Sequence, residues 1–423
     1  MLKDKIYIKK RALPQWCAMY ILIMPFFLQA FLQFLSIPGV IKYTIDVAWL
    51  IGVAFLFLKK NARLQKNLLF PVIFVVFYFV FALSLYFLNY QSIIYFLWGT
   101  RNNFRYYAAF VMFAVFFERG DVETAFKFFD ILFWFNAVIA AMQYIGFGYI
   151  GDYLGGIFGV EKGANASTLL FFAIVVAKKI LDYMNGKVST ISCFAMCSVA
   201  LFISALAEIK IFFIVCGIII VFASILTRFS WRKAVLLGVM FLFVFLIGAL
   251  LPVLFGDASR LSLERIFELA TAENYSTGRD LGRFTAIPTI SETILTTWPK
   301  RIFGLGLGNC DTSSFAMCNT PFFQTHSYLN YNWFSSAFAF LETGYVGICF
   351  QLGFFVICIW EGARNIKVGV SDVTLNQLSV IIGAICLIIF FYNSSLRAES
   401  GYMAYFILAL PMMNIYKSEQ NNS

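Results

Sequence analysis

The sequence predicts an all-α integral membrane protein of about twelve transmembrane helices with one large outer loop. Three observations carry that prediction. The 423 residues are 61% hydrophobic and 13% charged, against roughly 45–50% and about 25% in average globular chains. Apolar windows of about the 20 residues that a spanning helix needs recur along the chain. Lysine and arginine alternate between successive loops as the positive-inside rule requires.

The windows lie near 16–37, 39–58, 68–88, 102–118, 126–147, 166–183, 188–206, 209–227, 233–254, 333–360, 375–394 and 400–416. The first follows a basic head. It is too long for a signal-peptide core and lacks a small-x-small cleavage site, so it reads as a retained span. The windows at 102–118 and 166–183 are short, and 333–360 is long enough to tilt or break. The chain thus divides into spans one to nine (1–254), a large loop (255–332), and three spans with a tail (333–423).

With the N-terminus inside, the inner loops and tail hold 20 basic residues and the short outer loops six. Both termini are then cytoplasmic. The net charge of +10 is explained by these loops and points to no nucleic-acid partner. Within the long loop, "DASRLSLERIFELAT" puts Leu263, Ile266, Phe267 and Ala270 on one helical face, with Arg260 and Glu264 at i,i+4. "RFTAIPTISETILTTW" puts Phe284, Ile287, Ile294 and Trp298 in a similar stripe. Two readings are open: amphipathic helices at the membrane surface, or a small self-packed loop domain.

Ionisable residues at membrane depth are functional-site candidates. Arg101 and Arg105, in "WGTRNNFRYY", stand at i,i+4 where the fourth span is expected to begin. They either grip a phosphate or diphosphate together or snorkel to lipid headgroups. Glu208 and Lys210 lie in a hairpin with almost no loop, open to an ion pair or a substrate role. Arg279 and Arg283 repeat the i,i+4 spacing if helical. Arg397 and Glu399 are close enough in sequence to pair with each other.

Gly304, Gly306 and Gly308, in "FGLGLGNC", signal a close backbone approach or a turn. No strand-turn-helix unit surrounds them, so a dinucleotide fingerprint is excluded. No metal-ligand cluster is visible, because the chain has one histidine, His326, and no outer Asp-x-Asp pair. Cys310 and Cys318 lie in the polar loop rather than in an apolar window and are expected to form a disulfide in an oxidising compartment.

The segments "TGRDLGRF", "TTWPKRIFGLGLGNC" and "HSYLNYNWFSSAFAFLETGYVG" occur in that order across the outer loop and the span after it. This arrangement resembles the bacterial O-antigen polymerase and O-antigen ligase family. The residues that carry the likeness are Gly278-Arg279, Trp298, Gly304 to Gly308, His326-Ser327-Tyr328-Leu329 and Glu342-x-Gly344-x-x-Gly347. They cover roughly 277–347; elsewhere only the topology agrees.

The resemblance implies a metal-independent glycosyltransferase of surface polysaccharide and lipopolysaccharide biosynthesis, without cofactor, in the bacterial inner membrane. Its substrate would be an undecaprenyl-diphosphate-linked oligosaccharide at the periplasmic face. Pathway partners would include a chain-length regulator and a flippase. His326 would be the catalytic base, with Arg279 and Arg283 at the diphosphate. Arg101, Arg105, Lys210, Glu208, Arg397 and Glu342 would be binding candidates. Polymerase is the first reading, on the Phe- and Tyr-rich composition (52 and 21 residues), and ligase transfer to the lipid A core the alternative. A repeat-unit flippase, a transporter, is the rival from another class. The long outer loop and the charges gathered at one face favour the enzyme.

Overall fold

The computed structural model describes residues 12–58, 66–228, 230–236, 238, 279–313, 315–369 and 372–413. Every assigned element among them is a helix. Helix α1 (Leu13–Gln29) opens with Pro14 in its first turn, where the missing N–H has no helical partner to lose. It runs on through a π turn at Ala30–Phe34. Then follow α2 (Thr44–Leu58), α3 (Lys66–Leu88), α4 (Ile93–Phe116) and α5 (Arg119–Phe147). Next come α6 (Ala164–Met184), α7 (Thr190–Leu206) and α8 (Lys210–Leu226). The later part holds the short α9 (Ala286–Thr293), α10 (Trp298–Phe303) and α11 (Pro321–His326). The long α12 (Ser335–Val368), α13 (Val373–Tyr392) and α14 (Gly401–Ala409) complete it.

Among the described residues seven helices are long and apolar enough to cross a membrane: α1 with its π turn, α2 with the turn before it, α3, α5, α6, α12 and α13. The apolar α7, α8 and α14 are shorter. The most apolar windows of α6 and α13 are 72% buried, but those of α2 and α3 only 17% and 28%. Helices α6 and α13 therefore form the centre of the bundle, and α2 and α3 its rim. Val76, Phe77 and Val80 of α3 face outward. Such an apolar exterior is costly in water and ordinary against hydrocarbon.

Aromatic packing joins the helices. The Phe26 ring of α1 lies 5.1 Å from Phe171 of α6, 5.6 Å from Phe129 of α5 and 5.5 Å from Phe158 in the turn between them. Tyr106 of α4 meets Tyr402 of α14 at 4.9 Å. Each such pair contributes about 0.5–1.5 kcal/mol beyond its area burial. Helix α12 is broken at Gly344, whose φ of 61° and ψ of −162° leave the helical region. This is the break that its length suggests.

Two expectations change. Helix α4 begins at Ile93, not at 102. Arg101 and Arg105 therefore lie about 12 and 18 Å along the helix axis from its start. The stripe from Phe284 to Trp298 is not one helix. Pro299, in the first turn of α10, has no N–H and would clash with the carbonyl four residues back, so α9 cannot run through it. Ala286 and Ile290 are buried, while Phe284 and Trp298 are exposed. The helix expected at 257–271 and nearly all of the window at 233–254 lie outside the described residues.

Candidate functional site

A cavity of about 680 Å³ opens at the end of the bundle that carries the long loop. That is well within the size of small-ligand sites. Its rim holds three cations from three separate segments: Lys162 from the loop before α6, Lys210 at the start of α8, and Arg283 just before α9. Asp152 and Glu208 add two carboxylates.

Local structure sets each group. Asp152 sits in a 3-10 turn at Gly151–Tyr153, and its Oδ1 accepts from Nδ2 of Asn165 at 3.1 Å. The same Nδ2 donates to the Ala207 carbonyl at 3.1 Å, which ties this loop to the α7–α8 hairpin. Glu208 takes a φ of +52° so that the hairpin can turn in so few residues, and its N–H donates to the Ala205 carbonyl at 3.1 Å. The ammonium of Lys162 lies 4.2 Å from the Trp333 ring centroid, and the guanidinium of Arg283 lies 3.8 Å from that of Tyr392. Cation–π contact helps to hold both cations in place.

Below the rim the lining becomes apolar. Asn165 on α6 gives way to Ala166 and Leu169, and Lys210 on α8 to Ile211 and Ile214. Four helical residues correspond to a descent of about 6 Å. The cavity thus grades from charged to hydrocarbon-like over one turn, a profile that suits an anionic head on an apolar tail.

Of the residues singled out in the sequence, the cavity gathers Arg283, Lys210 and Glu208. Arg279 is exposed and outside the lining, and its segment is non-helical, so it does not share a face with Arg283. Arg101 is held by Asp46, with Nη2 2.5 Å and Nε 3.1 Å from the carboxylate oxygens. Arg105 is buried, 3.5 Å from Glu399 and hydrogen-bonded to the Tyr106 hydroxyl at 2.6 Å. The two arginines therefore have separate carboxylates and form no joint anion clamp.

Glu399 pairs with Arg105 rather than with Arg397. Burial pushes its carboxyl up, but the Arg105 guanidinium, a backbone hydrogen bond and the more distant Lys42 and Arg101 together hold it below the usual carboxylate range. Arg397 stacks on Phe338, 3.1 Å from the ring centroid.

Glu342, a binding candidate in the sequence, lies outside the cavity lining and holds the glycine turn. It is buried, and its Oε1 accepts from the Gly308 N–H at 2.8 Å. Backbone bonds from Leu305 to Leu341 (2.8 Å) and from Gly306 to Glu342 (2.9 Å) complete a clasp between the glycine turn and α12. Gly308 approaches α4 so closely that a Cβ there would stand 2.0 Å from the Tyr95 carbonyl oxygen. The glycines serve close packing, and the Gly308 N–H is already taken by Glu342.

The expected Cys310–Cys318 disulfide is not formed; both thiols are free and buried. Hydrogen bonds close the loop instead. Asn319 Oδ1 accepts from the Thr312 hydroxyl (2.9 Å) and the Ser313 N–H (2.7 Å), and the Thr320 hydroxyl donates to the Asp311 carbonyl (3.0 Å). Burial pushes the Cys310 thiol well above its ordinary range, which keeps it unreactive.

His326 ends α11, half-buried and outside the cavity lining. Its ring stacks on Phe322 at 4.4 Å. Nδ1 lies 2.7 Å from the Thr325 hydroxyl and 3.2 Å from the Phe322 carbonyl. The carbonyl can only accept, and the Thr325 hydroxyl is also within 3.0 Å of the Pro321 carbonyl and 3.1 Å of the Phe322 carbonyl. The contact with the carbonyl therefore assigns a proton to Nδ1.

Sequence reasoning missed Asp152, Lys162, Asn165, Trp333 and Tyr392. One signal was available: six glycines within 148–163 mark a structured connection, not a plain linker. Among the described residues no group of three His, Cys, Asp or Glu converges to hold a metal ion. No family model matches the chain, and a search of curated proteins returns no match.

Proposed function

We propose that the chain is a lipid-linked glycan transferase of the O-antigen polymerase type. In this reading it has twelve spans, both termini in the cytoplasm and the long loop in the periplasm. The observation that carries the proposal is the graded cavity: Lys162, Lys210 and Arg283 above a floor of Leu169, Ile211 and Ile214. An undecaprenyl diphosphate has that chemistry, two phosphates followed by hydrocarbon.

In the proposed reaction an acceptor sugar hydroxyl attacks the anomeric carbon of the donor. The new C–O bond forms as the bond to the diphosphate oxygen breaks, and the electron pair leaves with the lipid diphosphate. Lys162, Lys210 and Arg283 stabilise the charge that develops there. Trp333 and Tyr392 offer flat apolar faces to the sugars. The hydroxyl proton passes to Nε2 of His326, or to Asp152 or Glu208 at the rim.

The test replaces Arg283, Lys210 and His326 singly by alanine in a cell lacking the native enzyme. Long-chain glycan resolved on a gel is expected to be lost, with single-repeat lipid-linked sugar accumulating outside the membrane. Normal chains from all three variants would sink the assignment.

A further inference from the structure

A second cavity, of about 330 Å³, lies at the opposite end of the bundle. It is formed by the first turns of α5, the last part of α6, the α6–α7 connection and the start of α13. Four cations line it: Arg119, Lys127, Lys178 and Lys187. Three of these segments are loops or helix ends that basic residues mark as cytoplasmic in the sequence. Glu123, Asp130 and Asp372 also line it.

The ion pairs here are of the kind that a ligand can displace. Lys187 and Asp372 stand 3.9 Å apart, and the side chains of Arg119 and Glu123, 3.2 Å apart, are each more than half exposed. Pairs of this exposure contribute little. Lys178 is fixed more firmly, by Asp182 and by the Phe126 ring at 5.2 Å. Apolar groups stand beside the cations: Val122 and Phe126 on α5 and Leu375 on α13.

We propose that this groove binds the phosphate of an anionic phospholipid headgroup, with the acyl chains running down beside Phe126. A basic pocket between helices at the cytoplasmic surface is suited to that ligand. The apolar wall is what favours a lipid over a free phosphate, which would gain nothing from it. The site is separate from the graded cavity and does not depend on the reaction proposed there.

The experiment uses the full chain in detergent, titrated with phosphatidylglycerol, with phosphatidylcholine, or with inorganic phosphate. Native mass spectrometry reads retained lipid, and thermal melting reads stabilisation. Phosphatidylglycerol is expected to be retained in preference to phosphatidylcholine and to raise the melting temperature. The double variant Lys127→Glu, Lys187→Glu should weaken retention about tenfold or more. Lys127→Arg with Lys187→Arg should restore it. Lys367→Glu, an exposed charge at the same end but outside the groove, should leave it unchanged. Equal retention of the two lipids, an equal loss from Lys367→Glu, or equal stabilisation by inorganic phosphate alone would each overturn the proposal.

Discussion

The glycine turn at 304–308 offers a sharp test of how the long loop is anchored, through Gly308→Ala. The added Cβ would stand 2.0 Å from the Tyr95 carbonyl oxygen and 3.0 Å from Gly99 Cα, so backbone must move. Overpacking of this kind costs about 1–3 kcal/mol. The residue also holds a φ of +87°, where a Cβ adds roughly 1–2 kcal/mol. Moving the turn weakens the bond from its N–H to Glu342 and leaves a buried carboxyl oxygen without its donor, at about 1–3 kcal/mol. The low ends alone amount to about 3 kcal/mol, or about 3 °C or more in melting temperature at roughly 1 °C per kcal/mol for a chain of 423 residues. The control is Gly120→Ala in the first turn of α5, where a new Cβ meets nothing within 4 Å. It should leave stability unchanged or raise it by up to ~1 kcal/mol. The assay is thermal unfolding of purified protein in detergent. A Gly308→Ala protein that melts with the wild type would show that the turn has room for a Cβ and does not anchor the loop.

Further outcomes follow from the same geometry. Glu399 has its carboxyl held below the ordinary range, against the effect of burial, by Arg105 with help from a backbone hydrogen bond, Lys42 and Arg101. The stability this pairing gives is present above the ordinary carboxylate range and is lost as pH falls through the lowered value. Melting temperature should therefore drop in acid, and Glu399→Gln should flatten that part of the profile; an unchanged profile would count against the pairing. Cys310 and Cys318 should resist a maleimide in the folded protein and react after denaturation; non-reducing peptide mapping that found them joined would contradict the free thiols. His326→Asn keeps a donor for the Phe322 carbonyl but has no Nε2. If the imidazole takes the acceptor proton, this variant should lose chain formation as fully as His326→Ala. Rescue by asparagine would make His326 a positioning residue.

Much of the fold was legible because hydropathy is a local property. The windows at 68–88 and 375–394 coincide with α3 and α13 to within a few residues. The site was less legible because charge pairing is a tertiary property. Arg105 and Glu399 are 294 residues apart, and Arg101 and Asp46 are 55 apart. No i,i+4 rule applied to Arg101 and Arg105 could reveal that each has its own carboxylate. The start of α4 was misplaced for a related reason: "WGTRNNFRYY" is too polar for a hydropathy window, and its side chains are satisfied only after folding. The glycine turn was read correctly as a close approach, since three alternating glycines have few other uses. Lys162 went unnoticed because its role depends on Trp333, 171 positions further along the chain.

If the graded cavity takes a lipid diphosphate donor and transfers its glycan, the purified chain reconstituted in liposomes needs only an undecaprenyl-diphosphate-linked repeat unit as substrate. The wild type is then expected to make glycan longer than one repeat and to release lipid diphosphate. A double variant, Lys210→Ala with Arg283→Ala, should do so at least about a hundredfold more slowly. A double variant that polymerises at the wild-type rate, or a wild type that binds the donor and never lengthens it, would contradict the account.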